Sequence, residues 1–362
     1  MNKHSIRRIG VGVAAAVALA TAVAAPAQAF VPGPIGVVYA GPEFQLSINT
    51  DGGNPAHTTR HADGTWAAWD SVPDMYYNPG ATSSLTQAES GTGKTFLAAE
   101  GSAIQFLIRD SATGQWTSPS GTAAPIPDEV PIEHSGNTPA TARITKLVGS
   151  VVMGGEFHLF GQRGPSALYE VVRHSDGTWG AWQELYVPGQ IGEIKELSVA
   201  STDGAGIQLV AVAGGRLWHA NRADAGSAFA AWGDVFANSS NPGTAEHVAV
   251  AAVKGELQVV VTGNNGTGIY HAIRRATGSW TVFGDVKAAT KASLGTIAGV
   301  GVADTDRLSG NDALQVVVVD TAGHLRHTVR NSAGSWTTFG DVDAVIPNSH
   351  LGTAVSVAGA GQ

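Results

Sequence analysis

An arginine returns at intervals of roughly fifty residues along the chain, each time a few residues before a glycine and an aromatic residue. The series comprises Arg60, Arg109, Arg173, Arg222, Arg274 and Arg330. A guanidinium carries N–H donors in a rigid planar fork, so it can bind a carboxylate or a pair of sugar hydroxyls, or it can hold the carbonyl groups of a nearby turn. The arginine stands at the end of a strand and just before a turn, which favours the structural use, the holding of the turn. Ligand binding is the alternative.

In three copies an aromatic residue stands four positions before the arginine, which places both on one face of an extended strand. Such a pair offers a ring for the C–H face of a sugar and donors for its hydroxyls, although it is equally a cation–π packing pair. Glu170 adds an acid beside one of these aromatics. The candidate ligand-binding residues are therefore Tyr169, Glu170, Arg173, Trp218, Arg222, Tyr270, Arg274 and Arg330.

A histidine lies three residues before the arginine in four copies, at His57, His219, His271 and His327. Because side chains alternate along a strand, each histidine is expected to face away from the arginine of its own strand. Histidines on four separate units are too far apart to ligate one metal ion, so a zinc site is not expected. In the third copy Glu170 takes the place of the histidine.

A pair of aromatic residues, three positions apart, follows the arginine in most copies. The first members are Trp66, Trp116, Trp179, Phe229, Trp280 and Trp336, and the second are Trp69, Trp182, Trp232, Phe283 and Phe339. Large rings that recur in every unit are most simply explained by packing between units. Direct stacking on a ligand is the alternative.

These side chains stand on a repeat of short β-strands. In the fifth unit the expected strands cover residues 247–253, 257–262, 269–274 and 279–283, and in the sixth unit residues 297–302, 314–319, 325–330 and 335–339. Each segment is rich in β-branched or aromatic residues and is bounded by Gly, Asn or Asp. Beyond the N-terminal segment no window shows helical periodicity, so the sequence predicts an all-β fold.

Six four-stranded antiparallel units without intervening helices predict a six-bladed β-propeller, and a solenoid is the alternative. Residues 353–359 look like an unaccompanied strand that would close the ring beside residues 44–48, unless residues 36–40 take that place. The predicted propeller domain spans residues 30–362. Its approximate blades are 30–80, 81–139, 140–193, 194–243, 244–295 and 296–352.

The loop between the first two strands of the sixth unit contains Asp304, Asp306 and Asp312. Carboxylate oxygens are the ligands that calcium prefers, and the loop resembles the Asp-rich calcium loop of integrin-type propeller repeats. A solvated turn is the alternative, and no other cofactor is predicted.

The N-terminal 29 residues have the pattern of a signal peptide, with Lys3, Arg7 and Arg8 before an apolar run and a small-x-small motif at residues 27–29. Ordinary secretion is expected, with twin-arginine export as the alternative. No other apolar run is long enough to span a bilayer. The expected product is a released extracellular protein.

The charge and cysteine content exclude several classes of function. Loss of three N-terminal cations would take the net charge from −8 to −11, and the chain has no Lys/Arg run, so nucleic acid is not an expected partner. The absence of cysteine excludes disulfides, thiolate nucleophiles and Cys-ligated zinc.

Residues 60–66 and 173–179 resemble a shortened Asp-box, the hairpin turn of sialidases and other propellers, in which the box is structural. The whole unit, a strand ending in arginine followed by a glycine turn and two aromatics, is similar to repeats of bacterial and fungal propeller lectins, including the fucose-binding six-bladed type. That resemblance implies sites between adjacent blades, built from an arginine, an acid or amide, and aromatics. Tyr169, Glu170 and Arg173 match this set best.

The sequence therefore predicts a secreted, non-catalytic, lectin-like protein whose partners are glycans or glycoconjugates. A sialidase-like or other glycoside-acting enzyme is one alternative, but the acids Asp110, Glu156, Glu184 and Glu193 are scattered without a catalytic spacing. A propeller scaffold that binds another protein is the second alternative.

Overall fold

The computed structural model describes residues 35–40, 43–49, 55–72, 84–90, 92–101, 103–118, 129–132, 140–165, 167–186, 191–202, 206–305, 312–346 and 357–359. The predicted signal segment lies outside these residues. Within them the chain forms five four-stranded antiparallel sheets, one five-stranded sheet and one two-stranded sheet.

Each larger sheet is one blade, and its strands follow one another in sequence. Blade 1 contains β1 (Ile35–Ala40), β2 (Glu43–Ile48), β3 (Ala56–Arg60) and β4 (Asp70–Ser71), and blade 2 contains β5 (Ser84–Glu89), β6 (Lys94–Glu100), β7 (Ile104–Asp110) and β8 (Trp116–Thr117). The small sheet pairs β9 (Glu129–Ile132) with β10 (Ala140–Arg143). Blade 3 contains β11 (Lys146–Met153), β12 (Glu156–Arg163), β13 (Ala167–Arg173) and β14 (Gln183–Tyr186).

The second half of the ring repeats this order. Blade 4 contains β15 (Ile194–Thr202), β16 (Gly206–Ala213), β17 (Arg216–Arg222) and β18 (Gly233–Asp234). Blade 5 contains β19 (Ala245–Val253), β20 (Glu256–Gly263), β21 (Gly268–Arg274) and β22 (Gly284–Asp285). Blade 6 contains β23 (Ile297–Thr305), β24 (Ala313–Asp320), β25 (Leu325–Arg330) and β26 (Gly340–Asp341).

The blades form a closed ring, because the first strand of each blade lies against the first strand of the next and β23 lies against β1. The hydrophobic clusters span neighbouring blades: Val210 of blade 4 packs with Val250 and Val259 of blade 5, and all three are fully buried. Both faces of a central strand are thus covered, which explains why β16 is buried along its whole length. The predicted all-β propeller of four-stranded antiparallel blades is confirmed.

The C-terminal strand β27 (Val357–Gly359) pairs in parallel with β1, whose other edge pairs with β2. Residues 36–40 therefore take the place beside residues 44–48, as one of the two alternatives expected. The backbone of β27 also approaches β5, β11, β15, β19 and β23, which are the first strands of the other blades. The strand consequently lies at the centre of the ring.

The predicted fourth strands at residues 279–283 and 335–339 are wrong. Trp280 makes only an isolated bridge to Arg274, and the fourth strand of blade 5 is β22. The segment makes one backbone bond to the third strand, from the N–H of Thr281 to the carbonyl of Ile273 at 2.9 Å, and no ladder continues from it. The N–H of Ile273 donates instead to the hydroxyl of Thr281 at 2.9 Å, where a continuing strand would offer a carbonyl. Thr337 accepts from Val329 in the same way at 2.9 Å.

The expectation of no helices is also wrong in detail. Single helical turns follow the fourth strands of blades 4 to 6: α1 (Val235–Asn238), α2 (Val286–Thr290) and α3 (Val342–Val345). Each starts after a Gly-Asp pair whose Asp side chain accepts a hydrogen bond from a backbone N–H of the first turn. So short a helix has no periodicity, and the capping Asp is its only sequence signal.

Among the described residues, no helix has the length and apolar character needed to cross a bilayer.

Candidate functional site

A buried histidine–glutamine pair recurs in four blades, with the glutamine on the second strand and the histidine on the third. The Nε2–Oε1 distances are 2.7 Å for His57 and Gln45, 2.8 Å for His219 and Gln208, 2.8 Å for His271 and Gln258, and 2.6 Å for His327 and Gln315. Burial, and then the charge of the next blade's arginine, lowers the pKa of each histidine to about 3. The four imidazoles are therefore neutral at physiological pH.

The next blade covers each pair with a half-buried tryptophan that meets the imidazole edge to face. The ring centroids are 5.4 Å apart for His57 and Trp116, 5.6 Å for His219 and Trp280, 5.4 Å for His271 and Trp336, and 5.5 Å for His327 and Trp66. These contacts confirm that the tryptophan series packs between blades. We call the four spaces His–Gln clefts; they lie between blades 1 and 2, 4 and 5, 5 and 6, and 6 and 1.

The recurrent arginine lies beside this tryptophan, with its guanidinium under the turn of its own hairpin. A Cβ placed on Gly177 would lie 3.0 Å from Nη2 of Arg173, and Gly334 is equally close to Arg330. Both glycines have φ near +90°, at 92° and 89°, a backbone conformation that favours glycine. The guanidinium thus lies against the turn, and its use in holding turn carbonyls stays a prediction.

The same arginines also reach toward the preceding blade. Nη1 of Arg109 donates to Oε1 of Gln45 at 3.2 Å, so the guanidinium of blade 2 meets the His–Gln pair of blade 1. Burial lowers the pKa of the arginine in all four His–Gln clefts, Arg60, Arg109, Arg274 and Arg330. Within the described part of the chain none of these four forms an ion pair with a carboxylate.

The space between blades 3 and 4 differs, and we call it the ion-pair cleft. Glu170 holds the histidine position there, and its Oε2 accepts from Nη1 of Arg222 at 2.7 Å while its Oε1 accepts from Nη2. Oε1 also lies 2.7 Å from Nδ1 of His158. Burial alone would raise the pKa of Glu170, but hydrogen bonds from His158 and Arg222 and the charge of Arg222 hold it below its ordinary value.

Glu170 and Arg222 are only 4% and 5% exposed. The candidate set of Tyr169, Glu170 and Arg173 is thus not one cluster, because the acid pairs with the arginine of the following blade. Arg173 lies instead over the ring of Phe106 in blade 2, with its Cζ 5.2 Å from the ring centroid. Phe96 and Phe106 replace the His–Gln pair between blades 2 and 3, which we call the phenylalanine cleft.

The three candidate platform aromatics each have a structural partner. Tyr169 is buried in the core between blades 2 and 3, Nε1 of Trp218 donates to the carbonyl of Ala213 at 3.2 Å, and the hydroxyl of Tyr270 accepts from Asn264 at 3.1 Å. The tryptophans that follow the arginines, expected mainly to pack, are the rings that border the clefts.

A cavity of about 150 Å³ adjoins the ion-pair cleft. It is lined by Leu168 and Leu185 of blade 3 and by Leu209, Phe229 and Trp232 of blade 4. Phe229 stands where the other units have tryptophan, and its ring lies under the guanidinium of Arg222 at 4.7 Å. The phenylalanine ring is smaller than the indole of the other units, and it forms part of the cavity wall.

The predicted calcium loop is only partly described. Asp304 is the second-to-last residue of β23 and is buried, Asp312 precedes β24, and Asp306 lies outside the described residues. In the described ranges no three His, Cys, Asp or Glu side chains come together as a metal site. Calcium binding by this loop stays a prediction.

The glutamines of the four pairs were missed at the sequence level. A signal for them exists, because Gln45, Gln208, Gln258 and Gln315 each interrupt an apolar run on the second strand of their unit. A polar residue in such a run must find a partner when buried, and the histidine of the adjacent strand is that partner.

The Asp-box resemblance involves the turns after Arg60 and Arg173. Oδ1 of Asp63 accepts from the N–H and hydroxyl of Thr65 at 2.9 and 2.6 Å, and Asp176 makes the same bonds to Thr178 at 2.9 and 2.7 Å. These bonds fix the hairpin, and no cleft residue takes part in them.

No known protein family and no curated protein sequence matches this chain. Solved structures are similar: AofleA from Arthrobotrys oligospora has a TM-score of 0.60 at 13% identity over 91% of both chains. The SapL1 lectin in complex with alpha methyl fucoside has a TM-score of 0.57 at 14% identity over 89% of this chain and 99% of that one. The six-bladed Aleuria aurantia lectin has a TM-score of 0.53 at 14% identity over 89% and 98%. The fold is thus a β-propeller structurally similar to fucose-specific lectins at low sequence identity.

Proposed function

We propose that this protein is a secreted, non-catalytic, carbohydrate-binding propeller of six blades whose sugar sites are the His–Gln clefts. The observation that carries the proposal is the repetition of one cluster in four places. Each cleft joins a half-buried tryptophan and a half-buried guanidinium of one blade to a buried, neutral His–Gln pair of the preceding blade.

The chemistry of these groups suits a sugar. A pyranose has an apolar C–H face that packs on an aromatic ring, and its hydroxyls accept from a guanidinium fork. A rigid cluster on strands costs little ordering on binding. Similarity to lectin structures that bind fucose supports the same assignment, although it concerns the fold only.

Four equivalent clefts on one ring favour multivalent binding. Single shallow sites hold a sugar weakly, but several sites that engage one glycan-bearing surface raise the overall affinity through effective concentration. We expect weak binding of free monosaccharides and much stronger retention on a densely glycosylated surface.

Catalysis is the less favoured function, because glycoside hydrolysis needs two carboxyl groups that flank the scissile bond. Among the described residues Glu170 is the carboxylate that is buried in a cleft, and both of its oxygens are engaged by Arg222. Release of a chromogenic leaving group from sialosides or other glycosides would contradict a purely binding role.

Secretion is part of the proposal and rests on the pattern of residues 1–29. Expression of the full chain in a bacterial host, followed by mass spectrometry of the culture supernatant, tests it. A secreted product that begins near Phe30 supports the proposal, and retention of the uncut chain in the cells contradicts it.

The binding test is a glycan array probed with the purified protein and two single-residue variants. Arg274→Ala removes a guanidinium from a His–Gln cleft and is expected to lower array retention several-fold, since avidity amplifies the loss of one site. Arg275→Ala is the matched control: it has the same charge change at the adjacent residue, where Arg275 is exposed and lies 3.5 Å from Glu256. No saccharide bound at millimolar concentration would overturn the proposed function.

A further inference from the structure

All six recurrent arginines act toward the preceding blade, but within the described residues only Arg222 forms an ion pair with a carboxylate there. Glu43 and Asp70 act on Arg109, and Glu256 on Arg330, through their charge and without an ion-pair contact. Arg222 holds Glu170, Arg173 covers Phe106, and Arg109 donates to Gln45. The remaining three, Arg60, Arg274 and Arg330, lie close enough to the preceding blade's histidine for their charge to lower its pKa. In all six blades the guanidinium therefore acts toward the preceding blade, whereas the ion pair with a carboxylate is found only for Arg222 among the described residues.

The carboxylate of Glu170 occupies a position that the repeat defines. Glu170 lies three residues before Arg173 on the third strand of blade 3, just as His271 lies three residues before Arg274 in blade 5. The ion-pair cleft thus shows where a carboxylate sits when this guanidinium binds one in a bidentate manner. In the His–Gln clefts a neutral imidazole holds the corresponding position.

Among the described residues, Arg274 is the clearest case of a guanidinium without a carboxylate partner. Burial lowers its pKa and no acidic group offsets that effect. Its neighbour Arg275, which points away from the cleft, lies 3.5 Å from Glu256. A half-buried guanidinium without an anion loses part of its hydration and gains no ion pair, so an anionic ligand recovers more free energy there than a neutral one.

We propose that the His–Gln clefts bind saccharides that carry a carboxylate, with the carboxylate on the guanidinium and the sugar ring against the tryptophan. This inference rests on the proposed function and narrows it to acidic sugars. The neutral His–Gln pair adds no like charge to the ligand, and its hydrogen bond holds the floor of the cleft rigid. In the ion-pair cleft Glu170 already fills the carboxylate position, so that cleft does not bind an acidic sugar.

A matched pair of ligands tests the substrate class. Methyl glucuronide and methyl glucoside differ only in the carboxylate, and their binding to the purified protein is compared by calorimetry or ligand-observed NMR at low salt. The glucuronide is expected to bind about ten-fold more tightly, which is the gain from one charge-assisted hydrogen bond in place of a neutral one. A methyl sialoside, a second carboxylate-bearing sugar, shows whether the clefts prefer one acidic class.

The outcomes separate this inference from the function on which it rests. If methyl glucoside or methyl fucoside binds as well as the glucuronide or better, the carboxylate inference is overturned and the carbohydrate-binding proposal stands. If none of the four sugars binds at millimolar concentration, the carboxylate inference is overturned, and the glycan array decides the carbohydrate-binding proposal.

A second test introduces an acid into a His–Gln cleft, at the position that Glu170 holds in blade 3. His271→Glu places a carboxylate opposite Arg330, and we expect it to remove one glucuronide site from the binding stoichiometry. His271→Gln, of similar size without the charge, separates loss of the imidazole from gain of the carboxylate, and it is expected to weaken the site less than His271→Glu does. Melting curves establish that both variants are folded; a folded His271→Glu protein with unchanged stoichiometry would contradict the inference.

Discussion

The ion-pair cleft and the His–Gln cleft between blades 5 and 6 occupy equivalent places in the repeat, but different residues face the arginine in each. In the first, Glu170 binds Arg222, both are almost fully buried, and Phe229 leaves a cavity of about 150 Å³ beside them. In the second, His271 is neutral and bonded to Gln258, Trp336 covers it, and Arg330 has no carboxylate within ion-pair distance among the described residues.

The comparison teaches that one position in the repeat decides whether the arginine is satisfied inside the protein. An acid at that position binds the arginine and makes it a structural cation. A histidine with a glutamine partner keeps the base of the cleft polar and uncharged, and leaves the guanidinium without an ion-pair partner among the described residues.

The largest expected effect comes from breaking the buried ion pair. Glu170→Ala leaves Arg222 buried without its partner, and we expect a loss of about 3–5 kcal/mol in the free energy of unfolding, measured by urea denaturation. Glu256→Ala, which removes the carboxylate near the exposed Arg275, is the matched control with an expected loss below about 1 kcal/mol. Equal losses in the two variants would mean that the ion-pair cleft is no different from the surface.

Low pH is expected to lower the free energy of unfolding through the buried histidines of the His–Gln clefts. The pKa of His271 is about 3 in the folded protein and 6.5 ordinarily, so the unfolded chain takes up a proton first as the pH falls below 6.5. The stability is complete above pH 6.5 and declines toward pH 3, with a loss of about 2 kcal/mol per such histidine at pH 5.

The check is to compare urea unfolding at pH 7.5 and pH 5 for the parent protein and for His271→Gln, which cannot be protonated. The variant should lose less stability between the two pH values. The Glu170 carboxylate titrates below this range because its pKa is held low, so its contribution is retained at pH 5. An identical pH dependence in both proteins would show that His271 is not buried in its neutral form.

The smallest expected effect concerns the ring that covers the cleft. Trp336→Phe shrinks the ring that meets His271 and is expected to cost about 1 kcal/mol in the free energy of unfolding. The reverse change, Phe229→Trp, adds volume beside the existing cavity and should be close to neutral. Thermal melting of both variants tests this difference, which would disappear if the cavity were not available to the larger ring.

The fold could be predicted from the sequence because the same pattern of short strands and turns recurs along the chain. Short strands bounded by Gly and Asn, with an arginine and an aromatic pair at fixed positions, recur often enough to predict a propeller of four-stranded blades. The fourth strands were misplaced because Thr281 and Thr337 make only one backbone bond each to the third strand and accept the return bond with a hydroxyl. Residue composition cannot show which atom makes a hydrogen bond.

The clefts were less predictable, because their partners come from neighbouring blades. Glu170 and Arg222 are about fifty positions apart, so reasoning within one unit grouped Glu170 with Arg173 instead. The glutamine partners carried a usable signal as polar residues in apolar runs. Pairing each unit's third strand with the arginine of the following unit would have found the ion pair.

The contact of Phe44 and Trp66 with His327 joins the first and the last blade and has a consequence for biosynthesis. Blade 1 is made first, but one of its faces stays without its neighbour until blade 6 has emerged. Closing so long a loop is slow compared with pairing adjacent strands. The apolar face of blade 1 is therefore exposed throughout synthesis, and a chaperone that shields this face until the last blade arrives would raise the yield of folded protein.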